Sequence, residues 1–291
     1  MGRKLWLCVL LITVQLCMGG QVKAGILNGG FELPDPTDPN KPRDWNTFNY
    51  VARHSQFTPQ PEHEQIISWD IPAPVEGDYF VLLSTGDIVP DVPDNGIIMA
   101  KAWQNISFNT GDIIYGFYFF GTCDYARFFD KADIWLLSDP NNLDPDGIIE
   151  EIGLIDVGSY GSTDGWQRFF YEFKAEDVGK NWLVLTVADD NDDIYKSYFA
   201  VDGLVICTPP AYGDAYQDCK VDLMDYNFLA YQWLCDCSAT EPNDLPDPCD
   251  CPWVDLGGGD IKVLLDADFD GDKIVDTNDL NLLGQYWLEG N

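Results

Sequence analysis

Asp268-Phe-Asp-Gly-Asp-Lys-Ile-Val-Asp-Thr-Asn-Asp279 divides this chain into two kinds of polypeptide, because it occurs a second time in altered form as Asp214-Ala-Tyr-Gln-Asp-Cys-Lys-Val-Asp-Leu-Met-Asp225. The offset is 54 residues at every matched position, from 214 to 268 through 225 to 279. It continues into the next stretch, where Phe228, Leu229, Trp233 and Leu234 stand opposite Leu282, Leu283, Trp287 and Leu288. An offset that survives both an acidic segment and an apolar one marks a duplicated structural unit. After each acidic stretch, apolar residues return every three or four positions: Tyr226, Phe228, Leu229, Trp233 and Leu234 in one copy, Leu280, Leu282, Leu283, Trp287 and Leu288 in the other. That spacing predicts one amphipathic helix behind each loop.

The acidic spacing has a chemical reading. A hard cation such as Ca²⁺ takes six to eight oxygens, and a 12-residue loop supplies them from positions 1, 3, 5, 7, 9 and 12. In the second copy these are Asp268, Asp270, Asp272, the Ile274 carbonyl, Asp276 and Asp279. The first copy offers Asp214, Asp218, the Lys220 carbonyl, Asp222 and Asp225, with Tyr216 where a third carboxylate or amide is expected. The first site is therefore expected to be the weaker. Val221 and Val275, both at position 8, are expected to pair in a short β-bridge. A solvated acidic tail would account for the charge, but not for a 12-residue register kept twice and followed twice by an apolar stripe.

This pattern, over Asp214 to Leu288, resembles the dockerin type I module. The resemblance implies a small α module with two EF-hand-like calcium loops. Such a module docks onto a cohesin-like partner and joins secreted polysaccharide-degrading proteins to a scaffold or cell surface. Three departures stand out. Position 6, glycine in the family, is Cys219 in one loop and Lys273 in the other. Positions 10 and 11, where the family carries partner recognition, differ between the copies (Leu223-Met224 and Thr277-Asn278), which argues against a symmetric dual-mode contact. A cysteine-rich insert, 235–263, separates the repeats and leaves room for a partner other than a cohesin.

Upstream the pattern is all-β. Tyr79–Ser84, Ile97–Trp103, Ile113–Phe120, Ala132–Leu137, Trp166–Phe173, Trp182–Val187 and Ser197–Ile206 are short, rich in β-branched and aromatic residues, and bounded by Gly, Pro, Asp or Asn. Many such strands and no capped helical period predict a mainly β, jelly-roll β-sandwich over 25–208. The polar inserts Pro34–Arg43 and Ser138–Gly147 read as surface loops. Pro209 to Gly213 reads as a linker, followed by the calcium-loop module at 214–291.

The opening Ile26-Leu-Asn-Gly-Gly-Phe-Glu32 and the closing Phe199-Ala-Val-Asp-Gly-Leu204 resemble the first and last strands of carbohydrate-binding modules with a galactose-binding-like sandwich. That resemblance implies a structural calcium between Glu32 and Asp202, with backbone carbonyls near Asn28 and Gly30. A sugar ring presents an apolar C–H face that stacks on aromatic side chains. Trp45 and Trp69, set among polar residues and prolines, are the surface candidates; Trp103, Trp135 and Trp182 lie in strand patterns and read as core.

The ends and the charge set the compartment. Residues 1–24 combine Arg3 and Lys4, the apolar run Leu5–Leu16 and Val22-Lys-Ala24, the layout of a secretory signal peptide too short to span a bilayer. The formal net charge is −33. The leader holds three of the 16 Lys and Arg and none of the 49 Asp and Glu, so the remainder carries −36. Such a chain repels nucleic acid and anionic membranes. Seven of the nine cysteines lie beyond the leader, at 123, 207, 219, 235, 237, 249 and 251, and export favours disulfides over a four-thiolate zinc site. The odd number leaves one thiol over, and the connectivity stays open.

No catalytic pair stands out. The two histidines, His54 and His63, lack metal-site spacing, and the run Cys123–Asp130 mixes charge with aromatics and reads equally as the lining of a site or as a hairpin turn. The expectation is a secreted or cell-surface-associated, non-catalytic protein whose sandwich binds polysaccharide and whose repeats hold Ca²⁺ and a scaffold partner. The alternatives are a polysaccharide hydrolase or lyase, and a structural surface protein with no sugar ligand.

Overall fold

The computed structural model describes residues 25–59, 67–86, 99–125, 130–189, 195–210, 213–215, 219–233, 253–255, 261–263, 267–270 and 274–287. The expected leader, the Pro61–Glu64 stretch with His63, and Cys235, Cys237, Cys249 and Cys251 lie outside these residues. Compact packing divides the chain into two units. One comprises Met1–Asn109, Tyr118–Gln167 and Val178–Gly203; the other comprises Thr110–Phe117, Arg168–Asp177 and Leu204–Asn291.

Ten strands build two five-stranded sheets: β1 (Asn46–Phe48), β2 (Tyr50–His54), β3 (Phe80–Ser84), β4 (Met99–Asn105), β5 (Ile113–Thr122), β6 (Lys131–Leu137), β7 (Ile148–Gly153), β8 (Gln167–Glu172), β9 (Trp182–Ala188) and β10 (Ser197–Cys207). One sheet has the order β1-β4-β9-β6-β7 and the other β2-β3-β10-β5-β8. The protein is thus mainly β, a sandwich of two antiparallel sheets. All seven expected strands are present. β1, β2 and β7 were not anticipated, and each lies at or beside a sheet edge.

The inner strands are the apolar runs of the sequence. Val81, Leu82 and Leu83 of β3, Leu183, Val184 and Leu185 of β9, and Ala200 and Val201 of β10 are fully buried. Phe31, Phe80, Phe119, Phe120, Phe173 and Phe199 fill the interior with the largest side chains. Trp135, expected in the core, is buried there, and its indole N–H donates to Thr186 Oγ1 at 2.8 Å. Leu154–Val157 forms a four-residue helix, α1, and the insert at 138–147 carries a 3₁₀ turn at Pro145–Gly147.

In the C-terminal part, α2 (Leu223–Tyr231) and α3 (Thr277–Gln285) follow the two acidic loops as the periodicity predicts. A two-stranded ribbon, β11 (Trp253–Asp255) with β12 (Ile261–Val263), lies in the sequence between them. The repeats have their own small core of Ala215, Val221, Leu229, Ala267, Val275 and Leu283, with Trp233, Phe269 and Tyr286 packed against it. Val221 and Val275, expected to pair in a short β-bridge, are both fully buried in this core, but neither residue lies in a bridge. The expected stripes are narrower than drawn, since Tyr226, Leu280 and Trp287 are exposed. Among the described residues one buried apolar side chain per helix, Leu229 or Leu283, joins the small core. Among the described residues no helix is long and apolar enough to cross a membrane.

Candidate metal centre

Each C-terminal helix begins with the same device. Asp276 caps α3 by accepting from the Asn278 amide at 2.7 Å, while Asp279 Oδ2 accepts from the Asp276 amide at 2.8 Å. In the first repeat Asp222 accepts from the Met224 amide at 2.8 Å, and Asp225 Oδ2 from the Asp222 amide at 2.7 Å. Loop positions 9 and 12 therefore form a reciprocal cap that uses amides the helix cannot satisfy itself.

Capping does not explain the rest of the acid. Asp279 is fully buried, and its Oδ1 also accepts from the amides of Phe269 and Asp270 at 2.7 and 3.3 Å, which draws the front of the loop onto its end. Carboxylate oxygens of Asp268, Asp270 and Asp279 consequently lie within 4.8 Å of one another. Three carboxylates held this close repel unless a cation sits among them, and an all-oxygen donor set suits a hard ion. The residues present fit Ca²⁺, with the Ile274 carbonyl and Asp276 following in the same loop; Asp272 lies outside the described residues.

The first loop keeps part of this geometry. Asp214 Oδ2 accepts from the Cys219 amide at 2.8 Å, linking positions 1 and 6, and Asp225 at position 12 is fully buried like its counterpart. Lys220 and Asp222 follow in register, while Tyr216 and Asp218 lie outside the described residues. Cys219 is disulfide-bonded to Cys207, 12 residues earlier at the end of β10.

In the sandwich, the two residues singled out at its ends do converge. Glu32 Oε1 accepts from the amides of Asp78 and Tyr79, each at 2.9 Å, and Asp202 Oδ2 accepts from those of Val75 and Glu76 at 2.7 and 3.0 Å. Both carboxylates thus hold one turn, 75–79. A Cβ at Gly77 would run into the Glu32 carboxylate, and the backbone there adopts a φ of 62°, so this turn needs glycine. Burial pushes the Asp202 carboxyl up to about 6, with the amides of Glu76, Gly203 and Val75 pulling the other way and the charge of Glu76 adding to the rise. The Asn28 carbonyl accepts from the Phe31 amide at 3.1 Å and from the Trp45 indole at 3.4 Å. Amide hydrogen bonds account for the placement of Glu32 and Asp202 without an ion.

Trp45 is not a surface residue. It is 7% exposed, lies tilted against Phe31 with ring centroids 5.3 Å apart, and donates to the Leu27 carbonyl at 3.2 Å. Trp69 is half-buried against Phe119 and Tyr198, and its indole N–H donates to the Tyr160 carbonyl at 3.0 Å. Tyr160, at a φ of 58°, neighbours Tyr125 at 6.0 Å, and Tyr125 neighbours Tyr195 at 5.9 Å. Tyr125 and Tyr160 are more than a third exposed and are the better aromatic platform.

Beside them is a second acidic grouping, of which the sequence pointed only to the run Cys123–Asp130 and not to Asp189. Asp124, Asp130 and Asp189 bring carboxylate oxygens within 4.8 Å of one another, all three buried. Thr122 and Ser197 hydroxyls donate to Asp130 Oδ2, and the Tyr125 amide donates to Asp124 Oδ1 at 2.7 Å. The register explains the meeting: Lys131 of β6 pairs with Ala188 of β9, so Asp130 and Asp189 follow at the next step.

These features define a β-sandwich protein with tandem acidic loop–helix repeats. No family model matches the chain, and no curated protein matches it. Among solved structures it is similar to TmCBM61 in complex with β-1,4-galactotriose (14% identity, TM-score 0.32, covering 64% of this chain and 99% of that one). It is also similar to the K3 cleaved adhesin domain of Lys-gingipain from Porphyromonas gingivalis (14%, 0.34, 63% and 99%). A third is a Stig cyclase from Fischerella sp. TAU (12%, 0.34, 64% and 96%). At these identities and TM-scores the likenesses assign neither ligand nor activity to this chain.

Proposed function

We propose that the protein is a secreted, calcium-dependent attachment protein: a jelly-roll sandwich at 25–208 carried on a dockerin-like module at 214–291 that engages a cohesin-like or other surface scaffold. The observation that supports this most is the recurrence, 54 residues apart, of a loop whose buried twelfth residue, Asp225 or Asp279, is tied to its ninth by a reciprocal cap. In the second copy that residue sits in a carboxylate trio of the kind a hard cation requires. When bound, Ca²⁺ neutralises the loop and holds its two ends together. The chain's own residues do the rest. Asp276 and Asp279 cap α3, Asp222 and Asp225 cap α2, and the two helices present Leu223-Met224 and Thr277-Asn278 as unlike surfaces, so that one repeat faces the partner in preference to the other.

The test is far-UV circular dichroism of the full oxidised chain in millimolar Ca²⁺ and in chelator. The reading expects helical signal gained with Ca²⁺ and lost on chelation; an unchanged spectrum contradicts it.

For the sandwich, the half-exposed Tyr125 and Tyr160 beside Trp69 favour a glycan ligand over a purely structural role, because they offer adjacent aromatic faces to a sugar ring. Screening the full chain against a polysaccharide panel separates the options. Retention without cleavage supports glycan binding, depolymerisation supports a hydrolase or lyase, and neither supports a structural protein.

A further inference from the structure

The first loop departs from the second at position 6, where a sharp turn calls for a residue in the left-handed region of backbone space, ordinarily glycine. Cys219 occupies that position with a φ of 61°. A side chain with a Cβ disfavours this conformation, so a free chain tends to leave it. Two observations show what holds Cys219 there and what depends on it. Its sulfur is bonded to Cys207, the last residue of the 11-residue strand β10, and the residue is 5% exposed. Its amide donates to Asp214 Oδ2 at 2.8 Å, and Asp214 is the first carboxylate of the loop. Lys220, whose carbonyl would be the position-7 donor, follows directly in the chain. The turn at Cys219 therefore holds the loop's first carboxylate, and the disulfide pins that turn to a strand. The second loop has Lys273 at the equivalent position and no cysteine between Asp268 and Asp279.

We infer that the Cys207–Cys219 disulfide positions the first loop for its cation, so that the redox state of this pair sets Ca²⁺ affinity at the first repeat and leaves the second unaffected. The inference rests on the calcium reading of the repeats. Reduction by a small dithiol breaks the S–S bond, gives two thiols on Cys207 and Cys219, and converts the dithiol to its cyclic disulfide, so two electrons and two protons move from reductant to protein. Cys219 then relaxes out of the left-handed region, its amide leaves Asp214, and the carboxylate turns away from the loop. Linkage makes the effect reciprocal: Ca²⁺ at the first loop stabilises the disulfide by the factor that the disulfide raises Ca²⁺ affinity.

The experiment is Ca²⁺ calorimetry on full chains in which Asp268→Ala and Asp279→Ala silence the second loop. Three versions are compared: both cysteines intact, Cys207→Ser with Cys219→Ser, and Cys207→Ser with Cys219→Gly. The serine pair is expected to weaken the remaining site by about tenfold or more, whereas the glycine version, which makes the turn unaided, recovers most of that loss. Equal affinity in the intact and serine versions would overturn the inference, as would a glycine version as weak as the serine pair. Loss of order in these variants does not shelter the idea, because the reciprocal effect is measured on the unaltered chain. The midpoint potential of the Cys207–Cys219 pair, followed by alkylation and mass spectrometry, should fall by about 30 mV for each tenfold in linked affinity when Ca²⁺ is added. A potential indifferent to Ca²⁺ overturns the inference while Ca²⁺ heat from the unaltered chain keeps the calcium reading. No heat from the unaltered chain removes that reading itself.

Discussion

The sandwich and the C-terminal repeats solve the same problem with unequal means. The sandwich buries seven phenylalanines, all of β3 and most of β9 and β10, enough apolar surface to order itself. Among the described residues the repeats pack a core of six buried residues, two of them alanine. Modules with so little to bury rely on cross-links or metal for their order. Signs of both are present: a disulfide from Cys219 to the end of β10, and an acidic trio whose mutual repulsion a bound ion would relieve. Carboxylates in the sandwich are placed by backbone amides, as at Glu32 and Asp202. In the second loop the amides of Phe269, Asp270 and Asp276 all donate to Asp279, which gathers the loop around one buried carboxylate.

The largest effect expected from this contrast is in Ca²⁺ binding. Asp268→Ala with Asp279→Ala should lower affinity at the second loop by roughly a hundredfold or more and remove calcium-induced helix. Asp214→Ala with Asp225→Ala should do less, because the first loop has Tyr216 in the sequence position where the second has Asp270. Titration calorimetry with circular dichroism checks both, and equal losses would break the ranking of the two loops. In the sandwich, Leu82→Ala removes a fully buried side chain and should cost about 2–5 kcal/mol in denaturant unfolding, with no change in Ca²⁺ titration. A shift in Ca²⁺ affinity on this substitution would break the separation of the two regions.

Smaller and pH-dependent is the effect of Asp133. Burial pushes its carboxyl up to about 6; Lys131, 3.5 Å away, opposes the rise and Glu151 adds to it. A folded-state value above the unfolded one means the folded chain holds the proton more tightly. That stabilisation is complete below about 4 and is lost as pH rises through 6. Asp133→Asn should therefore flatten the stability profile between pH 4 and 7 by about 1–3 kcal/mol, read from urea midpoints at several pH values. Smallest is Trp45→Phe, which removes an indole donor from the Leu27 carbonyl and should cost about 0.5–1.5 kcal/mol without altering polysaccharide retention. Tyr160→Ala should reduce retention while costing little stability.

What could be read from the chain depended on how local the signal was. Strands such as Ile113–Phe120 announce themselves because both faces are apolar. β7 carries Glu150 and Glu151 on a half-exposed edge, and β2 follows Asn49 at a φ of 59°, so neither shows a clean period. The repeat was legible because the spacing of its ligand candidates lies within 12 residues. The meeting of Asp124, Asp130 and Asp189 was not, because Asp130 and Asp189 come together through the β6–β9 register and Asp124 joins them from beyond the end of β5. Trp45 misled through its neighbours: Asp44 and Asn46 suggest surface, while the ring turns inward onto Phe31.

Calorimetric titration of the full, correctly oxidised chain with Ca²⁺ tests the central claim most directly. Two binding events of unequal affinity are predicted, the tighter one disappearing with Asp268→Ala and Asp279→Ala. A flat thermogram, with no heat beyond dilution, would contradict the account.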